Sequence, residues 1–174
     1  MVLYLIYFMQ VNIALLTVTD TRTIDNDKSG GILVKKIAEQ KHKLVDRKIV
    51  KDEKKEIKKI ILAWTKEKQI DVIITTGGTG LTGRDITPEV LDDIADKKIP
   101  GFGELFRQLS YKTVGTSTLQ SRACAVLKNG KYIFALPGSS GGVTDAWDMI
   151  LKHQLNINHK PCNFVELFPR LKEK

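Results

Sequence analysis

The sequence predicts an α/β fold: a three-layer α/β/α sandwich with a mostly parallel sheet plus a late antiparallel hairpin strand. Three observations carry this. Short β-branched runs alternate with amphipathic stretches along most of the chain, the rhythm of a parallel sheet covered on both faces. Polar or glycine-rich turns follow the strand runs, at Asp20, Asp52, 77–85 and 137–142, and in a doubly wound sheet these meet on one rim. Lys128-Asn129-Gly130-Lys131 separates two apolar runs, and Asn-Gly is the strongest short hairpin signal.

Taken in order, residues 11–19 read as a buried strand, and a polar loop over 21–28 leads to a helix from Ser29 or Gly30 to Gln40. Residues 44–50 alternate in part and form a second strand. A helix starts at Asp52-Glu53 and runs to Lys68, with Ile57, Ile60, Ile61 and Trp64 as its apolar stripe and lysines on its outer face. Val72-Ile73-Ile74 is a short central strand. Thr87 is placed as the N-cap of a third helix, with Pro88 in its first position and Val90, Leu91 and Ile94 facing inward. Pro100-Gly101 breaks the chain before a short helix over 102–109, with Leu105, Phe106 and Leu109 on one face. Residues 111–119 are ambiguous. Strands over 123–127 and 132–136 flank the Asn-Gly turn, and a helix follows over 143–155.

The chain has 174 residues, enough for one domain with a real core, here placed at 11–174. Its formal charge is +8, but the lysines are scattered over helical segments and no aromatics interleave with them. That pattern reads as solvated helix faces with some attraction for anions, and argues against a nucleic-acid platform. Cys124 and Cys162 form no C-x-x-C, and His42, His153 and His159 stand alone as surface residues, so no zinc-type cluster is expected. A reducing cytoplasm is the default location. Residues 1–10, MVLYLIYFMQ, form an apolar N-terminal extension without a basic n-region or cleavage site, and Gln10 and Asn12 interrupt any spanning length, so no membrane role follows. The extension reads equally as an edge strand, an oligomer contact, or the product of an upstream start with Met9 as the working one.

The stretch IDVIITTGGTGLTGRDITPE carries the chemistry. A strand opens into Gly77-Gly78-Thr79-Gly80, then Arg84-Asp85, then a capped helix. Glycines allow a sharp turn and bring backbone N–H groups close to a ligand. Gly78-Thr79-Gly80-Leu81-Thr82-Gly83 spells G-x-G-x-x-G, but it follows the third strand and its helix waits for Pro88, so the dinucleotide fingerprint is not met. A P-loop fails for want of Gly-Lys-Ser/Thr. A phosphate cradle and a bland βα turn both remain open from the residues alone. Likewise Asp52 reads as an N-cap or a ligand, and Asp85 as a loop cap or a ligand.

The segments LLTVTDTRT, TTGGTGLTGRDITPEV, PGFGELFRQLS, GTSTLQSR and LPGSS resemble the molybdenum-cofactor biosynthesis proteins of the MoaB/MogA type, which share the domain of gephyrin's G part. TTGGTG followed by RD-x-TPE is the most specific element. GTSTLQSR and the short C-terminus make the chain more similar to the MoaB branch. The resemblance covers almost everything after Met9.

It implies molybdopterin binding and, in catalytic members, adenylyl transfer from ATP to the terminal phosphate of molybdopterin with Mg²⁺ present. Asp52 in KDE and Asp85 in GRD then match the family's catalytic and metal-holding carboxylates. Gly77, Gly78, Thr79 and Gly80 match the pterin- and phosphate-binding loop, and Ser110 and Ser121 match positions associated with molybdopterin. Arg84 is placed to steady phosphate, and Asp20 with Pro137, Gly138 and Ser139 fits the nucleotide side. A non-catalytic molybdopterin carrier of the same pathway is the alternative. Lys51 stands where the family often has proline, and Ser140 where MogA and gephyrin have a second one; Arg84-Asp85 is kept. Other molybdenum-cofactor biosynthesis proteins are the implied partners, in a homo-trimer or homo-hexamer. Either molybdenum or tungsten fits as the eventual metal.

Overall fold

The computed structural model describes residues 9–173. The expectations for the N-terminal extension fall, from residue 1 to 8, outside the described residues. The elements run β1 Asn12–Val18, α1 Lys28–Glu39, β2 Lys43–Val50, α2 Lys54–Lys66, β3 Val72–Thr76, α3 Thr87–Ile94, β4 Lys97–Lys98, α4 Pro100–Val114, β5 Cys124–Lys128, β6 Lys131–Leu136, α5 Ser140–Ala146 and α6 Lys152–Gln154. A 3-10 turn, Gly115–Gln120, follows α4, a π-helical stretch, Trp147–Leu151, joins α5 to α6, and a second 3-10 turn, Val165–Arg170, lies near the end.

The sheet has six strands in the order β2-β1-β3-β6-β5-β4. Strands β2, β1, β3 and β6 are mutually parallel, whereas β5 runs antiparallel to β6 and β4 to β5. Strand periodicity sorts the core onto two faces. Ile13 and Leu15 of β1, Val72 and Ile74 of β3 and Phe134 of β6 meet Leu33, Phe102, Phe106 and Trp147. Ala14, Leu16, Ile73 and Ile133 point the other way, onto Ile57, Ile61 and Trp64 of α2 and Val90 and Leu91 of α3. Each buried valine, leucine, isoleucine or phenylalanine side chain contributes about 1.5–3 kcal/mol. Both faces of the central strands are covered, which is why they read as unbroken apolar runs.

The hairpin is as expected: Asn129 at φ +51° and Gly130 at φ +70° form the tight turn between β5 and β6. Other expectations need correction. Thr87 does not N-cap α3; it is the helix's first residue, and its hydroxyl donates to the Gly77 carbonyl at 2.9 Å. The helix expected over 102–109 extends to Val114, the ambiguous stretch becoming its last turn and the 3-10 turn. Phe102, Phe106 and Ser110 are its buried side chains, at spacings of four, and Leu105 is exposed instead. Strand β4 is too short for any pattern.

His42 is also corrected: it is buried, not a surface residue. Its Nδ1 accepts from the Val11 N–H at 3.3 Å, and Nε2 has no partner among the described residues. Burial pushes its pKa below the ordinary 6.5. The unfolded chain therefore takes up a proton near pH 6.5 that the folded chain resists, and stability falls as the pH drops into that window. Urea unfolding at about pH 7.5 and about pH 5.5 is expected to show a smaller loss for His42→Asn than for the unsubstituted protein. No helix among the described residues is long and apolar enough to cross a membrane.

Candidate functional site

Strand order places β1 between β2 and β3, so the connections leaving β1 and β2 go to opposite sides. Helix α1 carries the chain outward and α2 carries it back across β1. Such a switch point opens a crevice at the carboxyl ends of the strands. Here β1 ends into Thr19-Asp20, β2 into Lys51-Asp52, β3 into Gly77-Gly78 and β6 into Pro137-Gly138. Two adjoining cavities lie there. One, about 390 Å³, is lined by Asp52, Gly77, Gly78, Arg84, Asp85 and Ser139 among others. The second, about 400 Å³, takes Thr79, Gly80, Ser121 and Pro137 and shares Gly78, Asp85, Gly138 and Ser139 with the first.

The glycine loop passes close to backbone on both sides. Gly77 has φ +101°, and a Cβ on it would stand 2.1 Å from the Val18 carbonyl oxygen. Gly78, at φ +64°, would place a Cβ 2.4 Å from the Thr87 hydroxyl and 3.0 Å from Asp52 Oδ1. A side chain at Gly138 would meet the Gly77 Cα at 3.3 Å. Gly77→Ala is therefore expected to cost about 2–5 kcal/mol, from positive-φ strain plus overpacking, read as a drop in the urea midpoint.

The carboxylates differ sharply. Arg84 Nη2 and Nε grip Asp20 at 2.9 and 3.0 Å, and its Nη1 donates to Glu53 Oε1 at 3.1 Å. The Arg84 hydrogen bond holds the Asp20 carboxyl below its usual range, and the two carboxylates raise the Arg84 pKa. Asp20 Oδ1 also accepts from the Asp52 N–H at 3.2 Å. The Asp52 side chain is only 9% exposed, and among the described residues no other side chain donates to it. It is not the N-cap of α2; Glu53 holds that position. Burial, then the charge of Asp20 and that of Asp85, push the Asp52 pKa up against an opposing pull from Arg84. For Asp85, burial pulls upward but is outweighed by the Thr82 hydroxyl at 2.6 Å, the Gly80 and Thr82 N–H groups and the Arg122 charge, so its pKa is lowered.

Among the described residues no group of three or more His, Cys, Asp or Glu is placed to hold a metal. A carboxylate pair is nevertheless what Mg²⁺ uses when water and substrate phosphates complete its six positions. Asp52, buried against the glycine loop and, among the described residues, with no side-chain donor, and Asp85, whose Oδ2 would lie 2.8 Å from a Cβ on Gly80, fit that donor set.

Residues 14–157 match the family described as "Probable molybdopterin binding domain". The chain belongs to this family. It is 43% identical over 166 residues to molybdenum cofactor biosynthesis protein B of Escherichia coli strain K12, across 95% of this chain and 96% of that protein. The Staphylococcus aureus strain MRSA252 protein of the same name is 46% identical over 149 residues, across 84% of this chain and 88% of the other. A crystal structure of molybdenum cofactor biosynthesis protein B superposes with a TM-score of 0.86 at 37% identity, covering 95% of this chain and 98% of that one. The tungsten cofactor synthesizing protein MoaB from Pyrococcus furiosus gives 0.76 at 34%, covering 87% and 96%. The resemblance to the MoaB branch is thus borne out.

In this molybdopterin-binding-domain chain, Asp52, Asp85, Arg84, the Gly77–Gly80 loop, Ser121 and the Pro137–Ser139 turn all line one or both cavities. Asp20 touches the site through Arg84 and the Asp52 N–H. Ser110 is not brought there; it is buried on α4, outside both linings. Ser139 caps α5, its hydroxyl accepting from the Gly142 N–H at 3.1 Å.

Sequence reasoning missed Arg22, whose Nη1 donates to Ser29 Oγ and to the Gly138 carbonyl, tying two rim loops together. It missed Ser117 and Gln120, which line the second cavity. It also missed Asp27, which N-caps α1 and accepts from the Thr17 hydroxyl at 2.6 Å and from Arg47 at 3.0 Å. Arg22 and Ser29 lie in and just after a polar loop that invited attention, but their contacts are tertiary. Asp27 two residues ahead of Ser29 was a readable N-cap signal.

Proposed function

We propose that the chain acts in molybdenum cofactor biosynthesis as a Mg²⁺- and ATP-dependent molybdopterin adenylyltransferase. The observation that carries the reading is Asp52: a buried carboxylate with a raised pKa and no donor from another side chain, at the rim that Asp85 and the glycine loop share. A structural residue has no reason to sit in that state, whereas a site that receives a cation does.

Transfer between two anions asks for charge neutralisation and alignment. Asp52 and Asp85 would hold Mg²⁺, which would supply Lewis-acid polarisation of the α-phosphate. The glycine loop leaves room for phosphate oxygens to approach its backbone. Arg84 keeps two of its five N–H donors after bonding Asp20 and Glu53, and these are available to a phosphate. Arg22 and Ser139 draw the β1–α1 and β6–α5 loops around the first cavity, the nucleotide side in this reading. The Thr79, Gly80 and Ser121 cavity is then the pterin side. The oxygen of the terminal molybdopterin phosphate bonds to the α-phosphorus, the bond to the β-phosphate oxygen breaks, and pyrophosphate leaves. Self-association into a trimer or hexamer belongs to the same reading; Tyr111, Val114 and Leu119, exposed apolar residues on α4 and its 3-10 turn, support it.

Purified protein with molybdopterin, ATP and Mg²⁺ is expected to yield adenylylated molybdopterin and pyrophosphate, and chelation of Mg²⁺ to stop both. Molybdopterin bound without pyrophosphate release would instead establish the carrier role.

A further inference from the structure

Three carbonyl groups of the glycine loop turn to one residue outside it. The Arg122 backbone N–H donates to the Thr79 carbonyl at 2.9 Å. Its Nε donates to the Gly80 carbonyl at 2.7 Å and its Nη2 to the Asp85 carbonyl at 2.6 Å. Its Nη1 is paired with the Glu89 carboxylate in the first turn of α3. One planar guanidinium therefore bridges the beginning and the end of the loop that delivers Asp85 to the rim. Arg122 itself lines neither rim cavity.

Beyond Arg122, the loop's other side-chain tether to the rest of the fold is Arg84, which reaches Asp20 and Glu53 through half-exposed side chains and leaves the loop's own backbone unheld. The bonds between Asp85 and Thr82 are internal to it, and they would travel with it. Leu81 is 67% exposed. Gly80 and Gly83 add backbone freedom that something must restrain. Charge-assisted donors in a fixed fork provide that restraint, and a lysine ammonium cannot match it at Nε and Nη2 together. The direction of the bonds matters too. Carbonyl oxygens drawn to Arg122 are oxygens not presented to an incoming phosphate.

We propose that Arg122 is the positioning residue of this site, locking the 80–85 loop so that the Asp85 carboxylate is fixed at the rim, with Glu89 orienting the guanidinium. The role rests on the adenylyltransferase reading only for its kinetic consequence.

Arg122→Lys and Glu89→Gln test it. In the ligand-free protein, amide exchange across 80–85 is expected to quicken about tenfold in Arg122→Lys, and less in Glu89→Gln, while sheet amides stay unchanged. With substrates, kcat is expected to fall about 10²-fold in Arg122→Lys with the KM for ATP little changed, because misplacement, not binding, is the defect. Unchanged exchange in the loop overturns the proposal, and so does a loosened loop with normal kcat. Should the unsubstituted protein form no adenylylated product, the transferase reading falls alone. Molybdopterin affinity then decides the positioning role: about tenfold weaker binding in Arg122→Lys supports it, and equal binding overturns it. If Arg122→Lys does not fold, Glu89→Gln is read by the same measurements.

Discussion

Asp85→Asn is expected to lower adenylyl transfer by about 10²–10³-fold while leaving molybdopterin binding nearly intact, the scale seen when one preorganised electrostatic contact to a transition state is removed. The substitution is chosen because it keeps the loop. Asparagine retains an acceptor for the Thr82 N–H at 2.9 Å, and the Arg122 bond goes to the Asp85 backbone carbonyl, which does not change. Only the negative charge is lost. Because the folded pKa of Asp85 is lowered, its carboxylate stabilises the fold above the unfolded value of 3.8, and that contribution disappears as the pH falls through the folded value. Asp85→Asn should therefore also be somewhat less stable than the unsubstituted protein at neutral pH. Transfer retained within about threefold would reduce Asp85 to a tie for Thr82, since a lost transition-state contact costs far more than that.

Much of the fold is local in origin and so was legible. The strand runs 11–19, 44–50 and 72–74 and the Asn-Gly turn are signals spanning a few residues each, and the sheet follows from alternation with helices. The glycine loop was legible for the same reason. What escaped notice depends on distance. Arg122 meets Gly80 and Asp85 across 42 and 37 residues, and Arg22 meets Gly138 across 116, so no window contains either pair. Helix α4 outran its expected end because Thr113 and Val114, poor helix formers, are held by a last turn in which Thr113 donates to Asp145 of α5. His42 looked like a surface residue because its polarity says nothing of the strand end that covers it. For Asp52, the residues alone favoured an N-cap and only the family resemblance favoured a ligand; the cap is excluded by Glu53 taking that position.

Asp52→Asn is expected to abolish transfer to a similar degree and, unlike Asp85→Asn, to stabilise the protein. The sign follows from the raised pKa. Below 3.8 the Asp52 side chain is protonated in both states and costs nothing; as the pH rises through the folded pKa, stability is lost and stays lost at neutral pH. Burial against the glycine loop and the nearby charges of Asp20 and Asp85 are the source of the cost. An asparagine carries no charge to desolvate, so at neutral pH it should gain about 1 kcal/mol, or about 2–4 °C in Tm for a chain of this size. At about pH 3.5 the gain should vanish. Added Mg²⁺ should raise the Tm of the unsubstituted protein and leave that of Asp52→Asn unmoved, since only the former has a carboxylate whose cost the cation relieves. Lower stability in Asp52→Asn at neutral pH would mean that the carboxylate serves the start of α2 after all. A gain in stability on removing this carboxylate, at the switch point of a doubly wound sheet, would support the cation-binding role proposed for Asp52.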